Sequence, residues 1–208
     1  MLLHYIYLLA ISAEAVSGAL MGIRKDMDIF GICLIGTVAA LGGGTVRDVL
    51  IGHYPLGWVT HPEYLAFTIC AAVVAAVAAG ALHHFKSAFL VVDALGLVAF
   101  TIIGCDIASG FSSFHPAIVV ILGMVTGVFG GLLRDVLCNE IPLVLRREIY
   151  ASVSLLTGAM YVGLQHLPID PHIATLGSLL LGFAVRLLAI RFHWELPRLN
   201  KENVRGFD

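Results

Sequence analysis

Charged residues are scarce in this chain, because only 12% of its 208 residues are Asp, Glu, Lys or Arg. A soluble domain carries about 25% of these residues. Hydrophobic residues make up 59% of the chain and the mean hydropathy is +0.95. Too few polar residues remain to cover a surface that faces water. The composition therefore predicts an integral membrane protein built from α-helices.

Several sequence features of other protein classes are also missing. The net charge is −2 and no basic run precedes the C-terminal tail, which argues against a nucleic acid partner. No GxSxG, HExxH or phosphate-binding GxxxxGK[ST] motif occurs, so we expect no enzyme and no cofactor. The cysteines form no CxxC pair, which favours free thiols over a metal site. They lie singly in four apolar segments, at Cys33, Cys70, Cys105 and Cys138.

The apolar residues are grouped into segments of the length that crosses a membrane. A spanning helix needs about 20 mainly apolar residues. Seven segments qualify, at 2–22, 28–51, 62–82, 87–108, 115–138, 147–165 and 172–193. We therefore expect seven transmembrane helices in a single membrane domain over residues 1–194, followed by a polar tail at 195–208.

The positive charges of the connections fall on one side of these segments. The connections after the second, fourth and sixth segments hold no Lys or Arg. The other connections and the chain end hold Arg24, Lys25, Lys86, Arg146, Arg147, Arg191, Arg198, Lys201 and Arg205. Such loops stay in the cytoplasm. We expect a bacterial inner membrane protein with the N-terminus outside and the tail in the cytoplasm, where Arg146 and Arg147 meet anionic membrane lipids.

An internal repeat relates two parts of the chain. Residues 43–56 read GGTVRDVLIGHYPL and residues 130–143 read GGLLRDVLCNEIPL, with eight of the fourteen positions identical. Segments one to three, about 2–82, thus match segments four to six, about 87–165. Because three spans is an odd number, the second copy is inverted in the membrane. Channels and transporters use such repeats, with the working site near the repeat interface. Segment seven, at 172–193, is accessory.

Each copy of the repeat places glycines inside an apolar segment. Each glycine costs a helix about 1 kcal/mol relative to alanine, so we expect a kink or an unwound turn whose carbonyls attract cations. Thr45 and Asp48 have the spacing of a capping box, which restarts a helix after a break. The glycines are Gly42, Gly43 and Gly44 in the first copy and Gly130 and Gly131 in the second.

An arginine and an aspartate follow the glycines in both copies, as Arg47-Asp48 and Arg134-Asp135. Ionisable residues within spans face the bundle interior and pair there. Since adjacent residues do not face each other on a helix, we expect each arginine to pair with an acid on another helix. Arg47 with Asp135 and Arg134 with Asp48 are candidate pairs that the sequence does not fix. Alternatively, the glycines only pack helices and the charges are interfacial anchors. The doubled motif favours a pore or transport site.

Other polar residues in the spans are candidates for the same path. Glu14 lies mid-span and is either a cation site, a counter-ion of an arginine, or a protonated acid packed between helices. Ser17, Thr37, Asp93 and Thr126 are candidate pore-lining residues, although hydroxyl side chains also bond their own helix.

The motifs resemble those of the trimeric intracellular cation channel (TRIC) family in its short prokaryotic form. The matching stretches are Met27–Gly31, Gly42–Asp48, Asp93–Gly96, Gly127–Leu137 and Ile141–Ala151. The resemblance implies a homotrimer with a potassium-permeable pore in each protomer, lined by segments one, two, four and five. It also implies hinges at the glycines and a gate near Arg47 and Arg134. Tyr7 stands where relatives often carry an acid. Related sequences are also labelled glycine transporters, so a secondary carrier of a small solute such as glycine is the alternative.

The charge bias generates a topology prediction. Reporter fusions at Asp208 and near Ser112 are expected to report opposite compartments, because an odd number of spans separates them from each other. Asp208 should report the cytoplasm and Ser112 the outside. The same compartment for both fusions would show that the seven-span arrangement is wrong.

Overall fold

The computed structural model describes residues 1–81, 85–146 and 149–194, and within them it contains helices but no strand. Arg147 and the polar tail at 195–208 lie outside the described residues. A 3-10 turn at Ala79–Ala81 extends the helix Glu63–Ala78. The nine α-helices are α1 (Leu2–Arg24), α2 (Ile29–Ile51), α3 (Gly57–Thr60), α4 (Glu63–Ala78), α5 (Phe85–Ser109), α6 (Pro116–Leu137), α7 (Leu143–Arg146), α8 (Tyr150–Gln165) and α9 (Pro171–Phe192).

Local capping sets several helix boundaries. The Asp28 side chain accepts a hydrogen bond of 2.8 Å from the Gly31 amide and so begins α2. Gly52 ends α2 in the left-handed conformation, with a φ of 69° that glycine adopts without steric cost. At α9, the Asp170 side chain accepts from the His172 amide at 2.7 Å, and a proline occupies the first helical position.

Five of these helices are long and apolar enough to cross a membrane, which makes the protein a multi-pass membrane protein. They are α1, α2, α5, α6 and α9. Helices α4 and α8 have 16 residues each, which at 1.5 Å per residue is somewhat shorter than the ~30 Å hydrocarbon core. The count of seven spans therefore stays a prediction.

Four of the long helices form a closed ring. Helix α1 packs against α2, α2 against α6, α6 against α5, and α5 against α1. Helix α4 covers α1 and α2 on one side of the ring, and α8 covers α5 and α6 on the other. Helix α9 packs against α8 and α5. One side of the ring is therefore formed by α1 and α2 of the first copy, and the opposite side by α5 and α6 of the second copy.

The two halves of the chain repeat the same order of helices. Each half has two long helices, a four-residue helix and a 16-residue helix. A Cβ on Gly18 of α1 would lie 2.7 Å from the Cα of Gly36 on α2. A Cβ on Gly104 of α5 would lie 2.9 Å from the Cα of Gly123 on α6. Both halves thus use paired glycines to bring their first two helices together.

The unwound turn that was predicted as one alternative at the glycine motifs is not present, and a kink there stays a prediction. Helix α2 runs without interruption through Gly42–Gly44, and α6 through Gly130–Gly131. The glycines serve a close contact between these two helices. A Cβ on Gly43 would overlap the Thr126 carbonyl oxygen, and a Cβ on Gly130 would overlap that of Ala39. The capping box is also wrong, since the Thr45 hydroxyl donates to the Leu41 carbonyl at 2.8 Å within the same helix.

The glycine contact generates a stability prediction. Gly43→Ala is expected to lower the melting temperature in detergent, because backbone atoms cannot move aside and overpacking costs about 1–3 kcal/mol. Gly163→Ala in α8 is the matched control, since nothing lies within 4 Å of its added methyl group. The control should be neutral or slightly stabilising. Equal melting temperatures for the two variants would contradict the role of Gly43.

Candidate functional site

Arg134 is the centre of a buried charge cluster where α1, α5 and α6 meet. Its side chain is fully buried. The Nη1 atom lies 2.8 Å from Asp93 Oδ1, and Nε lies 2.8 Å from Asp135 Oδ1. Nη1 also donates a hydrogen bond to the Ser17 hydroxyl and lies 3.6 Å from Glu14 Oε2. We call Glu14, Ser17, Asp93, Arg134 and Asp135 the Arg134 cluster.

Local features of the neighbouring helices shape this cluster. A Cβ on Gly96 of α5 would overlap the Glu14 carboxyl group, so this glycine makes room for the acid. The Arg134 guanidinium lies over the Phe89 ring at 4.7 Å from its centroid. The second oxygen of Asp135 accepts a hydrogen bond of 2.9 Å from the Leu143 amide, which fixes the start of α7.

The Arg134 cluster contains polar atoms that lack hydrogen bonds. Within the described residues, both Glu14 oxygens, Asp93 Oδ2 and Arg134 Nη2 are buried without a hydrogen-bond partner. A second buried cation, Arg186 of α9, lies over the Tyr150 ring at 4.6 Å from its centroid. Burying a charge is costly unless an opposite charge and hydrogen bonds compensate it. The cluster is therefore held by ion pairs but is incompletely satisfied.

The corresponding arginine of the first copy, Arg47, has different surroundings. Its Nη2 and Nε atoms lie 2.8 Å and 3.0 Å from Asp48 Oδ1. The same oxygen lies 3.1 Å from Nδ1 of His53. The His53 side chain is 45% exposed, so this pair adjoins solvent, whereas the Arg134 cluster does not. The Trp58 indole donates to Thr45 nearby at 3.1 Å.

The expectation that each arginine pairs with an acid on another helix, and not with its sequence neighbour, is wrong for Arg47 and holds in part for Arg134. In both copies the arginine contacts the aspartate that follows it, at Asp48 and Asp135. Although adjacent residues point in different directions on a helix, the long arginine side chain folds back far enough to reach its neighbour. Arg134 additionally pairs with Asp93 of α5, as expected. Neither candidate pair between the two copies, Arg47 with Asp135 or Arg134 with Asp48, forms within the described residues.

The remaining candidates from the sequence lie apart from the Arg134 cluster. The Thr37 hydroxyl on α2 lies 3.2 Å from that of Thr68 on α4. The Thr126 hydroxyl donates to the Leu122 carbonyl of its own helix at 2.7 Å. Arg186 was not among the candidates predicted from the sequence. It is nevertheless an arginine inside an apolar segment, as Arg134 is, and such residues indicate a charge in the bundle interior. A role for Thr37 and Thr126 in lining a path stays a prediction.

Comparisons with known proteins agree with this architecture. The family model described as glycine transporter matches residues 4–80 and again residues 90–166. The UPF0126 inner membrane protein YadS of Escherichia coli K12 is 34% identical over 199 residues, which is 95% of this chain and 96% of that protein. The TRIC trimeric intracellular cation channel orthologue from Rhodobacter sphaeroides superposes with a TM-score of 0.88 at 33% identity, covering 92% of this chain and 98% of that one. The chain is a prokaryotic member of the TRIC family.

A second solved structure supports the same assignment to the TRIC family. A prokaryotic TRIC channel crystallised in 0.5 M KCl superposes with a TM-score of 0.87 at 32% identity, covering 94% of this chain and 99% of that chain. The double match of the family model begins at residues 4 and 90, and both matched parts have the same length.

The contrast between the two arginines generates a second stability prediction. Arg134→Met is expected to destabilise the protein by about 3–5 kcal/mol, because it leaves buried carboxylates without their partner. Arg47→Met should cost less, since Asp48 keeps the contact with the half-exposed His53. Melting temperatures of both variants in one detergent measure the difference. An Arg47→Met variant as unstable as Arg134→Met would contradict the contrast.

Proposed function

We propose that this protein is a channel for monovalent cations, with potassium as the main permeant ion and one pore in each protomer of a homotrimer. The proposal is carried by its 33% identity to the Rhodobacter sphaeroides TRIC channel over 98% of that chain. That protein is described as a trimeric intracellular cation channel. An inverted repeat of three spans, a seventh accessory span and an external N-terminus complete the proposed arrangement.

The proposed path runs through the interior of the ring formed by α1, α2, α5 and α6. Helices α2 and α6 touch at Gly43 and Gly130, and this contact is proposed to close the path. Arg134 lies in the same ring, at the junction of α1, α5 and α6. A conducting state then requires α2 and α6 to separate at the glycines. Gly42, Gly44 and Gly131, beside that contact, are proposed to permit this bending.

The two arginines are proposed to act as the gate. A fixed positive charge in a narrow, low-dielectric path repels a cation strongly. The charge must therefore move or be neutralised before ions pass. Moving one charge across the full membrane field exchanges about 2.3 kcal/mol per 100 mV, so even a partial displacement of Arg47 or Arg134 biases opening. The carboxylates of Asp48 and Asp135 hold the arginines in the closed position.

A carrier of a small solute such as glycine is the second candidate. The observation that favours it is the description of the family model, glycine transporter, which matches both halves of the chain. Inverted repeats around a central site also suit alternating access. Both candidates place the working site at the same repeat interface, so a flux measurement must separate them.

The test is reconstitution of purified protein in a planar bilayer with potassium on both sides. Discrete unitary currents are expected for a channel. The Arg47→Gln variant should show a higher open probability or a weaker voltage dependence, because one gating charge is removed while Asp48 keeps His53. Arg134→Lys is the milder change at the second site, since it retains the positive charge among the buried acids.

The matched control for that test is Arg24→Gln, which removes an arginine whose side chain is 60% exposed and paired with Glu140. Its currents should equal those of the wild type. Saturable glycine flux without unitary currents would favour the carrier and contradict the channel. Unchanged gating in Arg47→Gln, with conduction intact, would show that Arg47 is an anchor and not a gating charge.

A further inference from the structure

The charges around Arg134 do not balance. Glu14 of α1, Asp93 of α5 and Asp135 of α6 are three carboxyl groups, and all three are buried. They face Arg134 of α6, and beyond Tyr150 of α8 lies the second guanidinium, that of Arg186 on α9. Among the described residues, even with Arg186 counted, three carboxylates face two cations. Within this part of the chain one negative charge is uncompensated in a region of low dielectric, where this is costly.

The excess charge is not shared equally among the acids. Asp135 is satisfied at both oxygens, by Arg134 and by the Leu143 amide. Asp93 is bonded to Arg134 through one oxygen. Glu14 has no hydrogen bond within the described residues and lies 3.6 Å from Arg134. Of the three, Glu14 therefore receives the weakest stabilisation of its charged form.

A proton fits this site better than a metal ion. Within the described residues, no three His, Cys, Asp or Glu side chains are arranged to bind a metal. Oxygen-ligated cations need about six ligands, whereas within the Arg134 cluster the oxygens without hydrogen bonds belong to Glu14 and Asp93. Two carboxylates that share one site readily retain one proton between them.

We propose that Glu14 is a proton-binding site of this protein, and that its bound proton compensates the excess negative charge of the Arg134 cluster. Glu14 Oε2 and Asp93 Oδ1 both lie against the same nitrogen, Arg134 Nη1. Loss of the proton adds a carboxylate beside this guanidinium and holds Arg134 more tightly. Uptake of the proton loosens it. Gly96 is part of the site, because any larger side chain would displace the Glu14 carboxyl group.

Infrared spectroscopy tests the proton directly, without any assay of transport. The full-length protein is titrated between pH ~5 and ~8, where exposed carboxyl groups stay ionised. The wild type should show a carboxylic-acid C=O band that shifts in D2O. Glu14→Gln should lose this band at every pH in the range. The matched control Glu63→Gln, at an acid whose side chain is 52% exposed, should keep it.

A second variant tests the charge balance and covers a failure of Glu14→Gln to fold. Asp93→Asn leaves two carboxylates and two guanidiniums, so Glu14 should ionise and its band should vanish near neutral pH. The band should return on mild acidification. If Asp93→Asn lacks the band at every pH, the proton is on Asp93. If the band of Asp93→Asn is unchanged near neutral pH, the argument from charge balance is wrong. Either result, or a band retained in Glu14→Gln, overturns the proposal.

The link to gating rests on the proposed channel function. Acidification across the pH range in which the infrared band of the wild type appears should raise the open probability of the wild type and leave that of Glu14→Gln unchanged. Conduction that does not depend on pH in the wild type would overturn the coupling to Arg134. Absence of any conduction would count against the channel itself, while the infrared band would still decide whether Glu14 holds a proton.

Discussion

The ion pairs of Arg134 are the interaction on which the interior of this protein depends. A guanidinium buried among membrane helices is tolerated only with anionic partners close by. Those partners come from the arginine's own helix and from α5, with Ser17 and Glu14 contributed by α1. Three helices, two in one half of the chain and one in the other, are thereby fixed at one point. The cluster joins the two repeat copies as well as occupying the space between them.

Glycine contacts make this arrangement possible. Between helices in a bilayer the hydrophobic effect provides little attraction, so close backbone packing matters more. Gly43 and Gly130 let α2 and α6 touch. Gly96 of α5 makes room for the carboxyl group of Glu14, which belongs to α1. A side chain at any of these positions would push apart the helices that carry the charges. In this conformation the glycines that suggested a helix break therefore serve to pack α2 against α6.

The membrane class and the burial of Arg47 and Arg134 could be predicted from the sequence, because composition and rare charges inside apolar segments are local signals. Helix continuity at Gly42–Gly44 was missed since the ~1 kcal/mol cost per glycine is repaid by a contact with α6, which is distant in sequence. The pairing of Arg134 with Asp93 and Ser17 depends on how three helices pack together. No spacing along the chain encodes that geometry. Arg186 was overlooked because it lies outside the repeat.

The two copies share their Arg-Asp motif but differ in access to water, and this difference has a physical consequence. Asp48 contacts the half-exposed His53, whereas Asp135 contacts the backbone amide of Leu143. At the position that pairs with Asp93, the first copy has Tyr7, which packs 4.7 Å from the Tyr64 ring. Electrostatic interactions weaken in water and strengthen in a dry interior. The same Arg-Asp motif is therefore a pair beside a half-exposed histidine in one half and a cluster of several buried charges in the other, so under the proposed function the main barrier lies at Arg134.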